Sequence, residues 1–272
     1  MFSSDIAIPY FAFLVYYSTW RCILVYSIAF KDFLDQIHNF SQQAHGPIWY
    51  RGVNGGFPLD SGLFRLISGQ GTLEQYLDLE KQLYMYYKNL GYLLHDNELG
   101  WGMLYSMQHH GVKTRLLDWS ESLPVALYFA CLGWEQRLPA RIWLLDPSKL
   151  NLLSLEKQHI ITPTESNYSY TEFFQNDNVK SFAIYPTRNN KRIIAQQGCF
   201  TVQGNTLKSL EKEFGDDLHD CLGLQSLEIT SALKNDVINF VKVTGMNHFS
   251  IMPDLAGLSQ HINDLLIPPA WK

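Results

Sequence analysis

Apolar and polar positions along this chain follow two alternating rhythms, one with a period near 3.6 residues and one near 2, and the stretches that carry them are interleaved. Ser27 stands before a run in which Phe30, Phe33, Leu34 and Ile37 share one face, so a helix capped by Ser27 is expected. The polar stretch 39–46 reads as a loop. Ile48-Trp49-Tyr50-Arg51-Gly52 follows as a short strand stopped by Gly52, Gly55 and Gly56, which puts Arg51 at a strand end. Over residues 72–93, Leu73, Tyr76, Leu77, Leu79, Leu83 and Tyr87 lie opposite Glu74, Asp78, Lys81 and Lys88, the pattern of an amphipathic helix. Residues 103–107 lead into Gln108-His109-His110-Gly111, where the glycine ends a helix.

A strand is predicted over residues 114–119, and Pro124 fits the first turn of a helix running through Ala130, where its missing N–H has no intrahelical acceptor to lose. Residues 141–145 read as a strand closed by Asp146-Pro147. Residues 151–180 are polar without a clean period and are taken as an insertion or loop. Ile193-Ile194-Ala195 and Cys199-Phe200-Thr201-Val202, on either side of Gln196-Gln197-Gly198, suggest a strand pair or one bulged strand. A strand over 227–229, a helix over 231–243 and a short helix opening at Pro253 complete the pattern. No repeat or long linker interrupts it. The expectation is a single α+β domain with a mixed, mostly antiparallel central sheet and flanking helices.

The first residues depart from this picture. From Ile6 to Phe30 the one formal charge is Arg21, which is long enough to weigh as a membrane span. A central arginine costs about 3 kcal/mol on the insertion scale, and Pro9, Ser18 and Thr19 take off more. Residues 23–26 are therefore read as a buried strand before the Ser27 helix, and 1–19 as an apolar appendage of the domain at 20–266, or an artefact of an upstream start. Membrane association is not expected, and a complete, cytoplasmic protein is. Twenty-one Lys and Arg against 26 Asp and Glu give a net charge of −5, without the basic footprint of a non-specific nucleic-acid binder. The four cysteines, Cys22, Cys131, Cys199 and Cys221, are scattered, with neither disulfide nor zinc spacing, as in a reducing compartment.

The candidate chemistry is densest where Gln108-His109-His110-Gly111 is followed by Thr114-Arg115-Leu116-Leu117-Asp118-Trp119. Two histidines, an arginine and an aspartate could supply a base, its orienting carboxylate and a phosphate clamp. They could equally form a buried ion pair that fastens a loop to the sheet. Adjacent histidines on one helix are ill placed to chelate a single ion, so no metal is expected. Arg51 beside Gly52 suits a bidentate grip on a phosphate or carboxylate, or an internal ion pair. Gln196 and Gln197 could bind a ligand or cap backbone.

Taken together these motifs resemble the FRG-domain family, through Trp49-Tyr50-Arg51-Gly52, Pro58-Leu59, Phe64-Arg65, the helix around Glu80, the Gln108–Gly111 and Thr114–Ser120 blocks, Pro124, and Ala126 to Ala130. The match resumes at Arg192, Gln196 to Phe200 and Met252 to Leu258, while Lys113 and Met252 stand where proline and phenylalanine are usual. The order of an Arg strand, a Ser strand before an Ala-x-x-Phe-Ala helix, and a Gly-x-Phe-x-Val strand also resembles the ADP-ribosyltransferase fold. That resemblance implies an enzyme that binds a nucleotide and transfers ADP-ribose from NAD or otherwise processes it, with NAD as substrate and no further cofactor required. His109 or His110 would act as acid or base and Asp118 would orient it. Arg51, Thr114, Arg115, Ser120, Gln196 and Gln197 would hold the ligand. No glutamate lies between Lys191 and Val202, where the catalytic carboxylate is expected, so Asp118 or Glu121 would have to replace it. The alternative is a non-catalytic module that binds a nucleotide or a protein partner. A membrane-tethered toxin or phage-defence effector, suggested by the apolar N-terminus and the family resemblance, is the third reading, and a protein target is an alternative partner to a small-molecule ligand.

Overall fold

The computed structural model describes residues 26–67, 70–95, 99–134, 138–164, 179–188, 190–215, 217–221 and 223–267. The expected appendage at 1–19, most of the strand expected at 23–26 and residues 165–178 of the expected insertion lie outside them.

Helix α1 (Ile28–Gln42) starts where Ser27 Oγ accepts the Phe30 N–H, and it buries Phe30, Phe33, Ile37 and Phe40. Strand β1 (Trp49–Asn54) leads through a short helix, α2 (Phe64–Ile67), to α3 (Leu73–Leu90), which Thr72 and Gln75 open with a reciprocal capping box. Helix α4 (Trp101–His109), strand β2 (Leu116–Ser120), helix α5 (Leu123–Cys131) and strand β3 (Ala140–Leu145) follow. Asp146 caps α6 (Pro147–Leu155), and next come β4 (Phe182–Ile184), α7 (Lys191–Ala195) and β5 (Gly198–Val202). Two short helices, α8 (Leu210–Glu213) and α9 (Asp217–Asp220), precede β6 (Leu224–Ile229), and α10 (Lys234–Val243), α11 (His248–Ile251) and α12 (Leu255–Leu266) close the chain.

The six strands form one sheet in the order β4-β5-β2-β1-β3-β6, every neighbouring pair antiparallel. The only parallel contact among the described residues is an isolated bridge between Ile161 and Ile184. Pairing is uneven. β1 is in register with β3 along six residues and β2 with β5 along five, whereas β1 and β2 meet only at Tyr50 and Ser120. The sheet therefore opens along its own middle, between β1 and β2.

Strand alternation sorts the core into layers. On one face Trp49, Leu117, Trp119, Trp143, Leu145 and Cys199 form a cluster that spans the seam. The opposite face is covered in two parts. α1, α5 and α10 lie over β3 and β6, packing on Ala140, Ile142, Leu144, Leu227 and Ile229. α4 lies over the other half, packing Trp101, Met103, Leu104 and Tyr105 on Leu116, Phe182, Ile184, Phe200 and Val202. The gap between α4 and α5 falls above the β1/β2 seam.

Several expectations are corrected. Gly52 does not stop β1. The strand continues to Asn54, Val53 and Asn54 pairing with Arg141 and Ala140, so Arg51 lies within it. Gly52 instead lets α5 approach, since a Cβ there would stand 1.8 Å from the Ala126 carbonyl oxygen. The chain turns at Gly55, with φ +92°. Residues 39–42 belong to α1 and not to a loop. Ile193-Ile194-Ala195 is a helical turn, because the Asn190 side chain caps it by accepting the Ile193 N–H. A local cap outweighs the strand preference of two isoleucines.

Candidate functional site

A cavity of about 400 Å³ opens over the seam. β1 contributes Tyr50, Arg51 and Gly52 to its wall, and β2 contributes Asp118, Trp119 and Ser120. Tyr105, Gln108 and His109 come from α4, and Val125, Ala126 and Phe129 from α5. Arg192, Ile193 and Gln196 close it from α7 and its C-cap, with Gly198, Phe200 and Met252. The cavity combines an aromatic and aliphatic lining with a few convergent polar groups, the usual make-up of a small-molecule site.

Asp118 shows how the seam makes the site. It is exposed in the middle of a central strand whose other residues are buried, because its side chain faces the gap between α4 and α5. Its Oδ2 accepts from Gln108 Nε2 at 2.9 Å, and Gln108 Oε1 accepts from Thr114 Oγ1 at 2.6 Å. Thr114, itself fully buried, so fixes the amide that orients the carboxylate. From across the seam Arg51 donates Nη1 to the Asp118 carbonyl at 2.6 Å. No other described residue takes a hydrogen bond from that guanidinium, and Arg51 is among the residues lining the cavity. Desolvation lowers the Arg51 pKa; Asp118 opposes that shift and Arg65 adds to it.

His109 lines the cavity and His110 does not. The second histidine is the C-cap of α4 and is exposed. Burial, then the charges of His110 and Arg192, lower the His109 pKa against a smaller upward pull from Asp254. His109 is therefore neutral near pH 7 and able to accept a proton.

Of the other expected ligand residues, Ser120 and Gln196 reach the cavity. The Ser120 hydroxyl bonds the Gln196 carbonyl at 2.6 Å and accepts the Ser122 N–H, tying β2 to α7. Gln196 Nε2 lies 3.3 Å from the Ile251 carbonyl and 3.5 Å from Met252 Sδ. Gln197 is exposed in a left-handed conformation, φ +46°, and meets β2 through its carbonyl, which accepts the Glu121 N–H. Thr114 acts on the cavity only through Gln108.

Arg115 is elsewhere altogether. It is 0% exposed, bidentate to Glu80 of α3, bonded to the Gln203 carbonyl and Asn205 Oδ1, and stacked over Tyr76. Its surroundings are those of an internal pin between α3 and the sheet, away from the cavity lining. Glu121 is engaged too, accepting from the Tyr185 hydroxyl at 2.6 Å and Arg188 Nη2 at 2.8 Å. Asp118 is consequently the only carboxylate on the cavity wall among the described residues.

Sequence reasoning did not single out Tyr105, Gln108 or Arg192 as site residues. Gln108 could have been found, since it opens the Gln-His-His-Gly motif at a helical offset of one from His109. Arg192 stands among the residues of the family resemblance without a role assigned to it, and a tyrosine inside an apolar helix carries no such signal. Among the described residues no group of three or more His, Cys, Asp or Glu side chains is placed to hold a metal ion, and no helix is long and apolar enough to cross a membrane.

Neither a curated protein nor a solved structure matches the chain. Residues 46–137 match the FRG domain, a span running from β1 to just beyond α5. It carries Arg51, Gln108, His109, Asp118, Ser120 and Phe129, hence both strands of the seam and both helices that flank it, and on this match residues 46–137 are an FRG domain.

Proposed function

We propose that the cleft over the β1/β2 seam binds a nucleotide, and that the ligand class it suits best is a nicotinamide dinucleotide. One observation carries this reading: Arg51 is desolvated at the cleft and, among the described residues, donates a single hydrogen bond, to the Asp118 carbonyl. A guanidinium so held presents further N–H groups in a fixed plane, which matches a phosphate. Tyr50, Phe129 and Phe200 add aromatic surface for a flat ring, and Asp118 is an acceptor for ribose hydroxyls. The resemblance to ADP-ribosyltransferases gains support from adjacency, because the Arg51, Ser120 and Gly198–Val202 strands are neighbours in the order β1, β2, β5.

In this reading Asp118 polarises the ribose next to the nicotinamide, favouring departure of the base as charge builds at the sugar. Gln108 holds the carboxylate in place. Neutral His109 takes up the proton of the attacking acceptor, a water or a side chain of a target protein.

A non-catalytic binding module is the second reading. It is favoured by Gln196 and Gln197, which stand immediately before β5 where the resemblance expects a glutamate. One experiment addresses both. The purified chain is titrated with NAD, ADP-ribose, ADP and AMP by calorimetry, then incubated with NAD and analysed by mass spectrometry for nicotinamide release and for added mass on protein. Saturable binding with nicotinamide release supports the enzyme, and binding without release supports the module. No binding of any of the four refutes the nucleotide reading.

A further inference from the structure

Two buried donors on the cleft wall have no partner among the described residues. One is Arg192 Nε and the other is the hydroxyl of Tyr105, a side chain only 1% exposed and stacked on Phe200 at 5.3 Å. Buried donors are nearly always satisfied, because leaving one unmet is costly. Two on the wall of one cavity point to a ligand that brings oxygen acceptors to them.

Arg192 has a second property. Together with Met252 it lines both the main cleft and another cavity of about 400 Å³, bounded by His248, Asp254, Gly257 and Gln260 on α11, α12 and their junction. Its charge also acts on His109, which places it within electrostatic reach of the cleft chemistry. Each cavity alone is near the lower end of the volume of ligand sites, roughly 300–1,000 Å³. The pair, joined at a cationic post, fits an elongated molecule with an anionic centre.

Resting on the nucleotide reading above, we propose that Arg192, supported by the Tyr105 hydroxyl, is a second anion anchor that selects diphosphate over monophosphate ligands, and that the cavity beyond it takes the part of the ligand past the second phosphate. Arg51 holds one phosphate and Arg192 the other. Gln260, exposed on α12 at the far cavity, borders the distal half.

The test is calorimetric titration of the full chain with AMP, ADP and NAD. The parent chain should bind ADP and NAD at least tenfold more tightly than AMP. Arg192→Gln should weaken ADP and NAD by 10- to 100-fold, the range of a lost charged hydrogen bond, and AMP by less than about threefold. Gln260→Trp, which fills the far cavity, should weaken NAD while leaving ADP within about twofold. Tyr105→Phe should weaken ADP several-fold, yet leave the melting temperature of the unliganded protein unchanged or higher, since it removes an unmet buried hydroxyl. That variant keeps the idea testable even if Arg192→Gln folds poorly. A parent that binds AMP and ADP equally, an Arg192→Gln chain that keeps the diphosphate preference, or Tyr105→Phe binding like the parent overturns the proposal while the nucleotide reading stands. A parent that binds none of the three removes both.

Discussion

Replacing Gly52 by alanine tests the packing on which the cleft depends. Gly52 lies in β1 directly under α5, and an added Cβ would stand 1.8 Å from the Ala126 carbonyl oxygen, 2.7 Å from the Ala130 nitrogen and 2.8 Å from the Ala126 carbonyl carbon. An ordinary carbon–oxygen approach is about 3.3 Å, so the helix or the strand must move by about 1.5 Å. All three obstructing atoms are backbone, which no rotamer change can relieve. β1 is held along six residues by β3, and α5 is fixed by buried Val125, Ala126, Leu127 and Ala130, so neither yields without losing packing elsewhere. Overpacking of this kind costs about 1–3 kcal/mol when side chains can adjust, and more is expected where they cannot. At about 2–4 °C per kcal/mol for a chain of this size, a loss of about 3 kcal/mol lowers the melting temperature by about 6–12 °C. Thermal unfolding followed by circular dichroism measures it, with Gly56→Ala as control. Gly56 is exposed, has nothing within 4 Å of its added Cβ, and should melt within a degree or two of the parent. A Gly52→Ala protein that melts with the Gly56→Ala control would show that α5 does not rest on β1 as described.

Three further outcomes are expected. Arg51→Lys keeps the charge but loses the planar donor pair, so affinity for the best-binding nucleotide should fall by about 10- to 100-fold, whereas the melting temperature should move by only a few degrees, since an ammonium can still reach the Asp118 carbonyl; unchanged affinity would take Arg51 out of the site. Arg115→Met strands the Glu80 carboxylate in a buried setting and should cost about 3–5 kcal/mol in chemical denaturation, while Arg115→Met with Glu80→Leu should regain a large part of that loss; a double variant no better than the single would mean that the pair is not the unit described. The depressed pKa of His109 means that, between its folded value and about 6.5, the unfolded chain binds a proton that the folded chain does not, so stability rises with pH across that window and levels off above it. Imidazole NMR should find the value below 6.5 and raised in Arg192→Gln, and an unmoved value would place Arg192 too far away to act.

The sequence by itself determined most of the longer elements and much of the polar inventory, though not α6, β4 or the helical turn at Lys191–Ala195. Ser27, Thr72 and Asp254 begin helices because their side chains accept the N–H groups that a first turn leaves over, and this information lies within four residues. Asp146, by its pattern the end of a strand, in fact caps α6, whose residues 151–155 fall in the stretch expected as a loop. The α+β class followed from the two periods of apolar residues, and the FRG resemblance from short motifs between Trp49 and Ala130 together with Arg192, Gln196 to Phe200 and Met252 to Leu258. What the local pattern could not contain is the pairing of distant strands. That β1 and β2 touch at a single position while each is fully paired on its other side is decided by β3, β5 and the helices above them, and this long-range packing opens the cleft. It also explains why neighbours in sequence part company. Thr114 and Arg115 go to the interior, Asp118 three residues after Arg115 faces the cavity, and His109 enters the cleft where His110 does not. Arg192, more than seventy residues beyond Asp118, reaches the same wall because β5 lies beside β2 and carries α7 with it. A strand or helix fixes the direction of a side chain relative to its neighbours, but whether that direction ends in water, core or cleft depends on which element is packed opposite, and only the tertiary structure supplies it.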